Sequence, residues 1–358
     1  MKKILKILLI IVLIIVAAAA GLFGFLTVTE YKPADVEDAE IVRASASEQL
    51  SVPAGGADLT ILSWNIGYAG LGAGSDFIMD GGTHTASADE ATVRQYLAGI
   101  KEVCGGDYDI VMLQEVDTKS SRTYRIDEKE ELAKGDAVFA LNFSCPFVPN
   151  PSTIITDPIG MVNSGLLTCS NFETGSSERI SLPCPFSWPL RTANLQRCLL
   201  VSYIPIEGSD KQLVIVNLHL EAYDSGEGKI AQTKQLREFI SAEYEKGNYV
   251  IAGGDFNQVF PGSLERYPNS HPDLWQPGEL DDSLLPSDGG WKFAYDMSTP
   301  TCRLLNQAYD PADTEKTQHY VIDGFILSPN VELNSAETLD LGFANSDHNP
   351  VRIEITLK

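Results

Sequence analysis

Residues 345–357 read "NSDHNPVRIEITL", a polar cluster that runs directly into an apolar segment. From Val351 to Leu357 apolar and polar residues alternate, which predicts a half-buried strand. Ser, Asp and Asn favour turns because their side chains hydrogen-bond to nearby backbone groups. The cluster around His348 is therefore typical of a turn when taken alone, and a functional interpretation depends on similar clusters at other strands.

Eight further apolar runs have the length and β-branched content of strands. They cover residues 59–65, 109–116, 137–143, 165–169, 197–206, 212–220, 249–256 and 320–327. Two segments, 89–103 and 229–246, carry apolar residues at helical spacing, and the second is followed by Gly247, a residue type favoured after a helix end. Strands mixed with helices from residue 58 to residue 358 predict one α/β sandwich.

The N-terminal segment differs from the rest of the chain. Residues 7–28 contain no charge, and these 22 residues are enough for a helix to cross a bilayer. Three lysines precede the segment and acids follow it, so the N-terminus is expected inside the cell and the remainder outside. A cleaved signal peptide is the alternative, because Ala17 to Ala20 supply small residues suited to cleavage. We expect a membrane anchor over 1–28, a flexible linker over 29–57 and one folded domain over 58–358.

Composition limits the classes of partner and of covalent cross-link. The formal net charge of −23 gives no electrostatic footprint for non-specific binding of nucleic acid or anionic lipid. Bound divalent cations reverse that sign locally, so polyanionic substrates are not excluded. Six cysteines in an exported chain allow a disulfide or two, with no pairing favoured by the spacing.

Polar side chains follow most of the strong apolar runs. The residues at these strand ends are Asn65, Glu115, Asn217, His219, Asp255, Asn257 and Asp323. Each alone is typical of a turn, a solvated strand end or a core histidine. Carboxylates at the ends of buried strands are costly unless they are paired or bound to metal, and strand ends are where α/β folds place ligands. Their joint occurrence indicates one functional site.

The residue types fit hydrolysis of a phosphoester. Mg²⁺ prefers oxygen ligands from one or two carboxylates together with water and phosphate oxygens. Asparagine amides donate to phosphate without adding negative charge, and a histidine held by an acid transfers protons near neutral pH. Metal, amides and an oriented imidazole together predict a metal-dependent phosphoesterase.

Six motifs carry a resemblance to a known family. They are "LSWNIG", "DIVMLQEVD", "NLHLEA", "GGDFNQ", "IDGFILS" and "NSDHNPV", in this order from Leu62 to Val351. Together they resemble the endonuclease/exonuclease/phosphatase superfamily, which includes pancreatic-type deoxyribonuclease, apurinic endonucleases, bacterial sphingomyelinases and inositol polyphosphate 5-phosphatases. The resemblance implies a four-layer α/β sandwich, in which helices flank two packed mixed β-sheets.

The resemblance also implies roles for individual residues. Glu115 binds the catalytic Mg²⁺ with help from Asn65, and Asp347 lies near the metal; Mn²⁺ or Ca²⁺ are the alternative ions. Asp255 and Asn257 position the attacking water and the phosphate, and Asn217 is expected to bind substrate. His348 acts as general acid or base and is oriented by Asp323, while His219 assists the leaving oxygen.

Three regions leave alternatives open. The glycine-rich insertion at residues 66–87 is either a substrate lid, with Asp80 and His84 near the phosphate, or a solvated linker. Arg122, Arg125, Arg191 and Arg197 contact either phosphate or surface acids. No role is predicted for residues 261–317.

The predicted function is that of a membrane-anchored phosphodiesterase whose catalytic domain lies outside the cytoplasm. Its substrate is either nucleic acid or a phospholipid headgroup, and no protein partner is predicted. The alternative is a non-catalytic anchored binding module with the same fold.

Overall fold

Two seven-stranded mixed sheets form the centre of the molecule. The structure is a computed structural model that describes residues 2–43, 51–53, 56–87, 89–151, 157–280, 284–286, 289–312 and 316–358. Its helices are α1 (Lys2–Val28), α2 (Glu90–Cys104), α3 (Glu128–Leu132), α4 (Glu227–Glu245) and α5 (Ser263–Arg266). Its strands are β1 (Val36–Asp38), β2 (Ile41–Arg43), β3 (Asp58–Asn65), β4 (Ile110–Asp117), β5 (Asp136–Val148), β6 (Gly160–Ser170), β7 (Ser176–Ser181), β8 (Cys198–Pro205), β9 (Gln212–His219), β10 (Tyr249–Asp255), β11 (Gln258–Val259), β12 (Gly278–Glu279), β13 (Lys292–Ala294), β14 (Cys302–Arg303), β15 (His319–Tyr320), β16 (Asp323–Leu327), β17 (Val331–Thr338) and β18 (Val351–Leu357).

Each sheet contains one parallel pair among antiparallel neighbours. Sheet 1 has the order β1-β7-β8-β9-β10-β16-β13, and β9 and β10 run parallel. Sheet 2 has the order β17-β18-β3-β4-β6-β5-β2, and β3 and β4 run parallel. In both sheets the parallel pair is internal, so each of its strands has a neighbouring strand on both edges. Strands at such central positions carry long apolar runs.

Three apolar clusters hold the layers together. The inner faces of the sheets meet through side chains such as Ile61 and Met112 of sheet 2 and Ile215 and Ile251 of sheet 1. Helix α2 covers the outer face of sheet 2, and α4 covers that of sheet 1. The predicted four-layer sandwich with two mixed sheets flanked by helices is confirmed.

The sequence pattern located the main elements and missed those with polar faces. The predicted helices correspond to α2 and α4. Strands β7 ("SSERIS") and β17 ("VELNSAET") were not predicted, because neither contains a continuous apolar run. The predicted strand 320–327 is interrupted at residues 321–322, where the two carbonyls accept from Phe260 and Phe256 rather than from a sheet neighbour.

The N-terminal region is attached to the sandwich. Helix α1 is, within the described residues, the one helix long and apolar enough to cross a membrane. In the range predicted to be a flexible linker, β1 pairs with β7 and β2 pairs with β5, so each adds an edge strand to one sheet. These two strands differ from the linker prediction at residues 36–43, and residues 44–50 and 54–55 of that range lie outside the described residues.

All six cysteines are free thiols, so none of the disulfides that the even count allows is formed. Five of them are buried, and these five belong to four separate apolar clusters. Burial raises the pKa of the Cys198 thiol to about 11 and of the Cys104 thiol to about 12. These cysteines therefore act as small apolar core residues.

Candidate active site

The polar strand ends of both sheets meet at one edge of the sandwich. In sheet 1, Asp255 at the end of β10 lies beside His219 on β9 and Asp323 on β16. In sheet 2, Asn65 ends β3 next to β4, which carries Glu115. Parallel neighbours end at the same edge, so the folding of two separate sheets brings these side chains into one cleft.

Asn65 links the two sheets. Its amide Nδ2 donates to Glu115 Oε1 at 3.2 Å and to Asp255 Oδ2 at 3.0 Å. Its Oδ1 accepts from the backbone N–H of Gly67 at 3.0 Å. The amide is thus fully oriented, and it sets the separation of two carboxylates from different sheets.

A bulge in β4 exposes Glu115 to the cleft. The pairing of β4 with β6 shifts between Leu113 and Val116, and Glu115 has a left-handed φ of 56°. That conformation is uncommon for a residue with a Cβ and is found at bulges and functional sites. Burial, reinforced by the nearby Asp347 carboxylate, raises the pKa of Glu115.

His348 is held by Asp323 through one nitrogen and presents the other to the cleft. Its Nδ1 lies 2.8 Å from Asp323 Oδ2. Its Nε2 lies 3.8 Å from Asp255 Oδ2 and 3.9 Å from Asp347 Oδ2. Burial lowers the pKa of His348, but the surrounding acids, Asp323 first, outweigh it and raise the pKa well above the ordinary value. The surrounding acids therefore favour the protonated form of the imidazole.

The backbone around His348 is also fixed. Trp64 Nε1 donates to the His348 carbonyl at 2.8 Å. The Ser346 hydroxyl donates to the carbonyl of Asn65 at 2.8 Å and accepts from the His348 N–H at 3.2 Å. The turn chemistry recognised in the sequence thus shapes the site and joins it to the end of β3.

His219 occupies the same cleft, and its pKa is shifted in the opposite direction from that of His348. Its Nε2 lies 3.5 Å from Asp255 Oδ2 and 3.9 Å from Glu115 Oε1. Burial, helped by the cation of Arg197, lowers its pKa well below the ordinary value. Two imidazoles whose pKa values are shifted in opposite directions therefore flank Asp255, whose own pKa is raised by burial and by Asp323.

Asn257 is placed by a tight turn after β10. Its backbone N–H donates to Asp255 Oδ1 at 2.8 Å, and its Nδ2 donates to the Leu220 carbonyl at 2.9 Å. Its φ of 52° allows the chain to turn back at this point. Both predicted residues of the Gly-Asp-Phe-Asn segment line the cleft.

The donor set of the cleft fits a divalent cation. Asp255 and Asp347 are buried carboxylates and the Glu115 carboxylate is 25% exposed at the cleft; within the described residues the ion-pair partners of all three are the two histidines alone. Arg122, the nearby guanidinium, is bound to Asp117 instead. Clustered carboxylates without a fixed cation are costly unless an ion compensates them, and hard divalent cations prefer such oxygen ligands. Glu115 and Asp347 therefore offer carboxylate oxygens to a cation, whereas the Asn65 oxygen already accepts from Gly67 and its amide nitrogen faces the carboxylates.

Asn217 does not reach the cleft, and its predicted role in substrate binding is corrected. Its side chain is fully buried between the sheets. Its Nδ2 lies 3.1 Å from the carbonyls of both Leu113 and Leu167, and its Oδ1 accepts from Gln114 at 2.8 Å. These groups lie where the bulge interrupts the β4–β6 ladder. Asn217 thus satisfies backbone groups that the bulge leaves without partners.

The insertion at residues 66–87 is a fixed wall of the cleft. The buried Arg303 donates to the carbonyls of Gly72 at 2.9 Å and Ser75 at 3.1 Å. Asp80 lines the cleft and accepts from the Tyr223 hydroxyl at 3.1 Å. Burial and the charge of Asp347 raise the pKa of Asp80 to about 7. His84 is exposed and pairs with Asp76 at 2.6 Å, so of the two predicted lid residues only Asp80 faces the cleft.

Two of the four candidate arginines line the cleft, and both are already paired. Arg122 forms a bidentate pair with Asp117 and lies 3.5 Å from the ring centroid of Tyr68. Arg197 Nε lies 3.2 Å from Glu221 Oε2. Arg191 pairs with Glu30 outside the catalytic cluster, and Arg125 binds the Lys119 carbonyl.

Sequence reasoning missed two aromatic residues of the cleft, Tyr68 and Tyr223. Tyr68 follows the "LSWN" strand inside the long insertion, and its buried hydroxyl has no hydrogen-bond partner in the described structure. Tyr223 follows the "NLHLEA" motif by one residue. Both tyrosines lie close to a recognised motif in the sequence, and this position was the one indication that they could line the cleft.

Comparisons with known proteins agree with this fold. The sequence model described as "Endonuclease/Exonuclease/phosphatase family" matches residues 62–348. An endonuclease/exonuclease/phosphatase structure from Beutenbergia cavernae aligns at 18% identity and a TM-score of 0.54, covering 84% of this chain and 72% of the other. A family protein from Leptotrichia buccalis aligns at 14% identity and a TM-score of 0.50, covering 83% and 99%. No curated protein matches the sequence significantly.

Proposed function

Because the chain belongs to the endonuclease/exonuclease/phosphatase family, we propose that it is a divalent-metal-dependent hydrolase of phosphodiesters. The observation that carries this proposal is the meeting of Asn65 and Glu115 from one sheet with His219 and Asp255 from the other. The His348–Asp323 pair completes the cluster at 2.8 Å. A non-catalytic binding module would not require these six side chains to converge.

The proposed metal ion is Mg²⁺, with Mn²⁺ or Ca²⁺ as alternatives, held by Glu115 and Asp347, while Asn65 assists by orienting the Glu115 carboxylate. When bound, such an ion neutralises charge that develops on the phosphate oxygens. Its charge would also compensate the buried carboxylates of the cleft, which have no permanent cationic partner among the described residues apart from the histidines.

The side chains then divide the remaining tasks. Asp255 accepts a hydrogen bond from the attacking water, and Asn257 holds Asp255 through its backbone N–H. The cationic His348 donates its Nε2 proton toward a phosphate oxygen, while Asp323 keeps the ring in one orientation. The neutral His219 donates toward the leaving oxygen. Water adds its hydroxyl to phosphorus and a proton to the leaving oxygen, so the products are a phosphomonoester and an alcohol.

We also propose that α1 remains as a single-pass membrane anchor and that the sandwich lies outside the cytoplasm. The charge distribution around α1 supports this orientation, since Lys2, Lys3 and Lys6 come before the apolar span and acids follow it. The division into an anchor over 1–28, a connecting segment over 29–57 and a catalytic domain over 58–358 is part of the same proposal.

Hydrolysis of bis(4-nitrophenyl) phosphate in the presence of Mg²⁺ tests the catalytic proposal. Asp255→Asn and His348→Ala should each lower kcat by at least about 100-fold, the usual contribution of a positioned acid or base. Chelation with EDTA should abolish the reaction, and Mg²⁺ should restore it. Asp210→Asn is the matched control, because that carboxylate is 85% exposed. Retention of most activity in either cleft variant would contradict the mechanism.

A further inference from the structure

The catalytic cleft continues into an apolar cavity whose far wall is the end of α1. The whole space has a volume of about 440 Å³. Glu115, Asp255 and His348 line its polar part, and Phe23 and Leu26 of α1 line its apolar part. The apolar part has no role in the reaction of a small, soluble phosphodiester.

The end of α1 is packed firmly against the sandwich. Leu26 is only 4% exposed and packs with Phe143 and Val148 of β5. Just beyond the helix, Glu30 binds Arg191 at 2.6 Å. Within the helix, Thr27 Oγ1 accepts from Trp188 Nε1 at 3.0 Å. Two polar contacts and one apolar cluster therefore fix the orientation of the cavity relative to α1.

The position of these residues along α1 places the cavity mouth at the membrane surface. A helix rises about 1.5 Å per residue, so about 20 residues cross roughly 30 Å of hydrocarbon. Counted from Ile7, where the charge-free stretch begins, that length ends near Leu26. The two residues of α1 that line the cavity therefore lie at the outer boundary of the hydrocarbon.

Exposed apolar side chains beside α1 extend this surface. Trp188 is 55% exposed and Leu190 is 64% exposed. The Trp188 ring lies 6.2 Å from the ring of Phe23. Large exposed apolar side chains are unfavourable in water, and tryptophan favours the membrane interface, where its ring is in apolar surroundings and its N–H finds a partner. This patch is continuous with the proposed membrane span.

We propose that the substrate is a lipid carrying a phosphodiester headgroup, taken from the bilayer that holds α1. This inference rests on the proposed phosphodiesterase function and names its substrate class. The headgroup enters the polar part of the cleft, and the first carbons of the lipid contact the apolar wall formed by Phe23, Leu26, Phe143 and Val148. A nucleic acid has no comparable apolar portion, and the net charge of −23 opposes its approach.

The full-length chain is reconstituted in vesicles of phosphatidylcholine and phosphatidylglycerol. The test compares two substrates, the vesicle lipids and a soluble phosphodiester. Release of phosphorylated headgroup or of lipid alcohol from the vesicles is measured beside hydrolysis of soluble bis(4-nitrophenyl) phosphate. The double variant Trp188→Ser/Leu190→Ser should lower the ratio of vesicle to soluble hydrolysis at least tenfold. Quenching of tryptophan fluorescence by brominated lipid should also decrease in this variant, which reports membrane contact independently of activity.

Val42→Ser is the matched control for the loss of an exposed apolar side chain. Val42 is 52% exposed and pairs with Ala137, at the opposite end of β5 from the cavity. Val148 is eleven positions after Ala137 on this strand, or about 36 Å away at the usual rise. The ratio should stay within twofold of wild type in this variant.

The outcomes separate the two proposals. Hydrolysis of the soluble diester and of plasmid DNA without release from vesicles would overturn the lipid inference and leave the phosphodiesterase proposal intact. An unchanged ratio in the double variant, or unchanged quenching, would also overturn the inference. Absence of metal-dependent hydrolysis of every phosphodiester would instead reject the proposed function itself.

Discussion

At the scale of single residues, similar side chains serve different purposes according to their depth in the sandwich. Asn217 and His219 are two positions apart on β9 and therefore face the same side of sheet 1. His219 lies at the open edge and enters the cleft, whereas Asn217 lies deeper and binds backbone carbonyls of sheet 2. The residue type and its spacing were equally compatible with substrate binding at both positions.

Asn217→Ala should destabilise the fold without weakening substrate binding. The variant leaves the carbonyls of Leu113 and Leu167 without their side-chain donor, and a buried unsatisfied group costs about 1–3 kcal/mol. We expect urea unfolding to show a loss of about 2–4 kcal/mol, while KM for bis(4-nitrophenyl) phosphate stays within twofold. Asn334→Ala, which removes an exposed amide bonded to Thr356, is the control. A tenfold rise in KM at unchanged stability would restore the substrate-binding role.

At the scale of elements, the cleft is built from strand ends and from one long connection. The bulge of β4 turns Glu115 outward, and Asn65 joins it to Asp255 at the end of β10. The insertion after β3 would be free to move by its glycine content alone. It is instead tied to β14 through Arg303, a side chain only 1% exposed that contacts three of its carbonyls.

Arg303→Met should loosen the insertion at residues 66–87. The methionine fills much of the space but donates no hydrogen bond, so the carbonyls of Leu71, Gly72 and Ser75 lose a shared partner. We expect amide hydrogen exchange in residues 70–80 to accelerate at least tenfold, with lower activity because this wall carries Tyr68 and Asp80. Arg352→Met, at an exposed pair with Glu337, should leave exchange in this segment unchanged. Equal protection in both variants would show that other contacts hold the insertion.

At the scale of the whole molecule, the cleft depends on how two sheets and the N-terminal helix meet. Sheet 1 supplies His219, Asp255 and Asp323, and sheet 2 supplies Asn65 and Glu115. Any relative displacement of the sheets would separate these groups, because the link at Asn65 spans both. The acidic cleft therefore opposes folding when it holds no cation and favours folding when a cation binds.

Mg²⁺ should raise the melting temperature of the protein after treatment with EDTA. A ligand at about 100 times its Kd stabilises the folded state by about 2.7 kcal/mol if it binds that state alone. Glu115→Gln should melt higher than wild type in EDTA, because it removes one buried charge, and should respond less to Mg²⁺. Glu332→Gln, an exposed carboxylate paired with Lys358, serves as the control. An equal response to Mg²⁺ in wild type and Glu115→Gln would exclude Glu115 as a ligand.

The sequence alone determined the local features of this protein. Alternating apolar residues located most long strands, helical spacing located α2 and α4, and the order of six short motifs indicated the family and most cleft residues. These features depend on interactions between neighbours along the chain, so they are readable without coordinates. Strands β7 and β17 were not recognised, because their residues are mostly polar and give no local apolar pattern.

Tertiary structure decided which side chains meet and in which charge state. Asn65 and Asp255 are 190 positions apart, and only the packing of the sheets makes them partners. Burial lowers the pKa of His219, whereas neighbouring acids raise the pKa of His348, although both are histidines beside strand ends. The contact of Leu26 with β5, which joins the cleft to the end of α1, likewise has no local signal. Contacts of this kind depend on how whole layers pack against one another, and the local pattern of residues does not determine that packing.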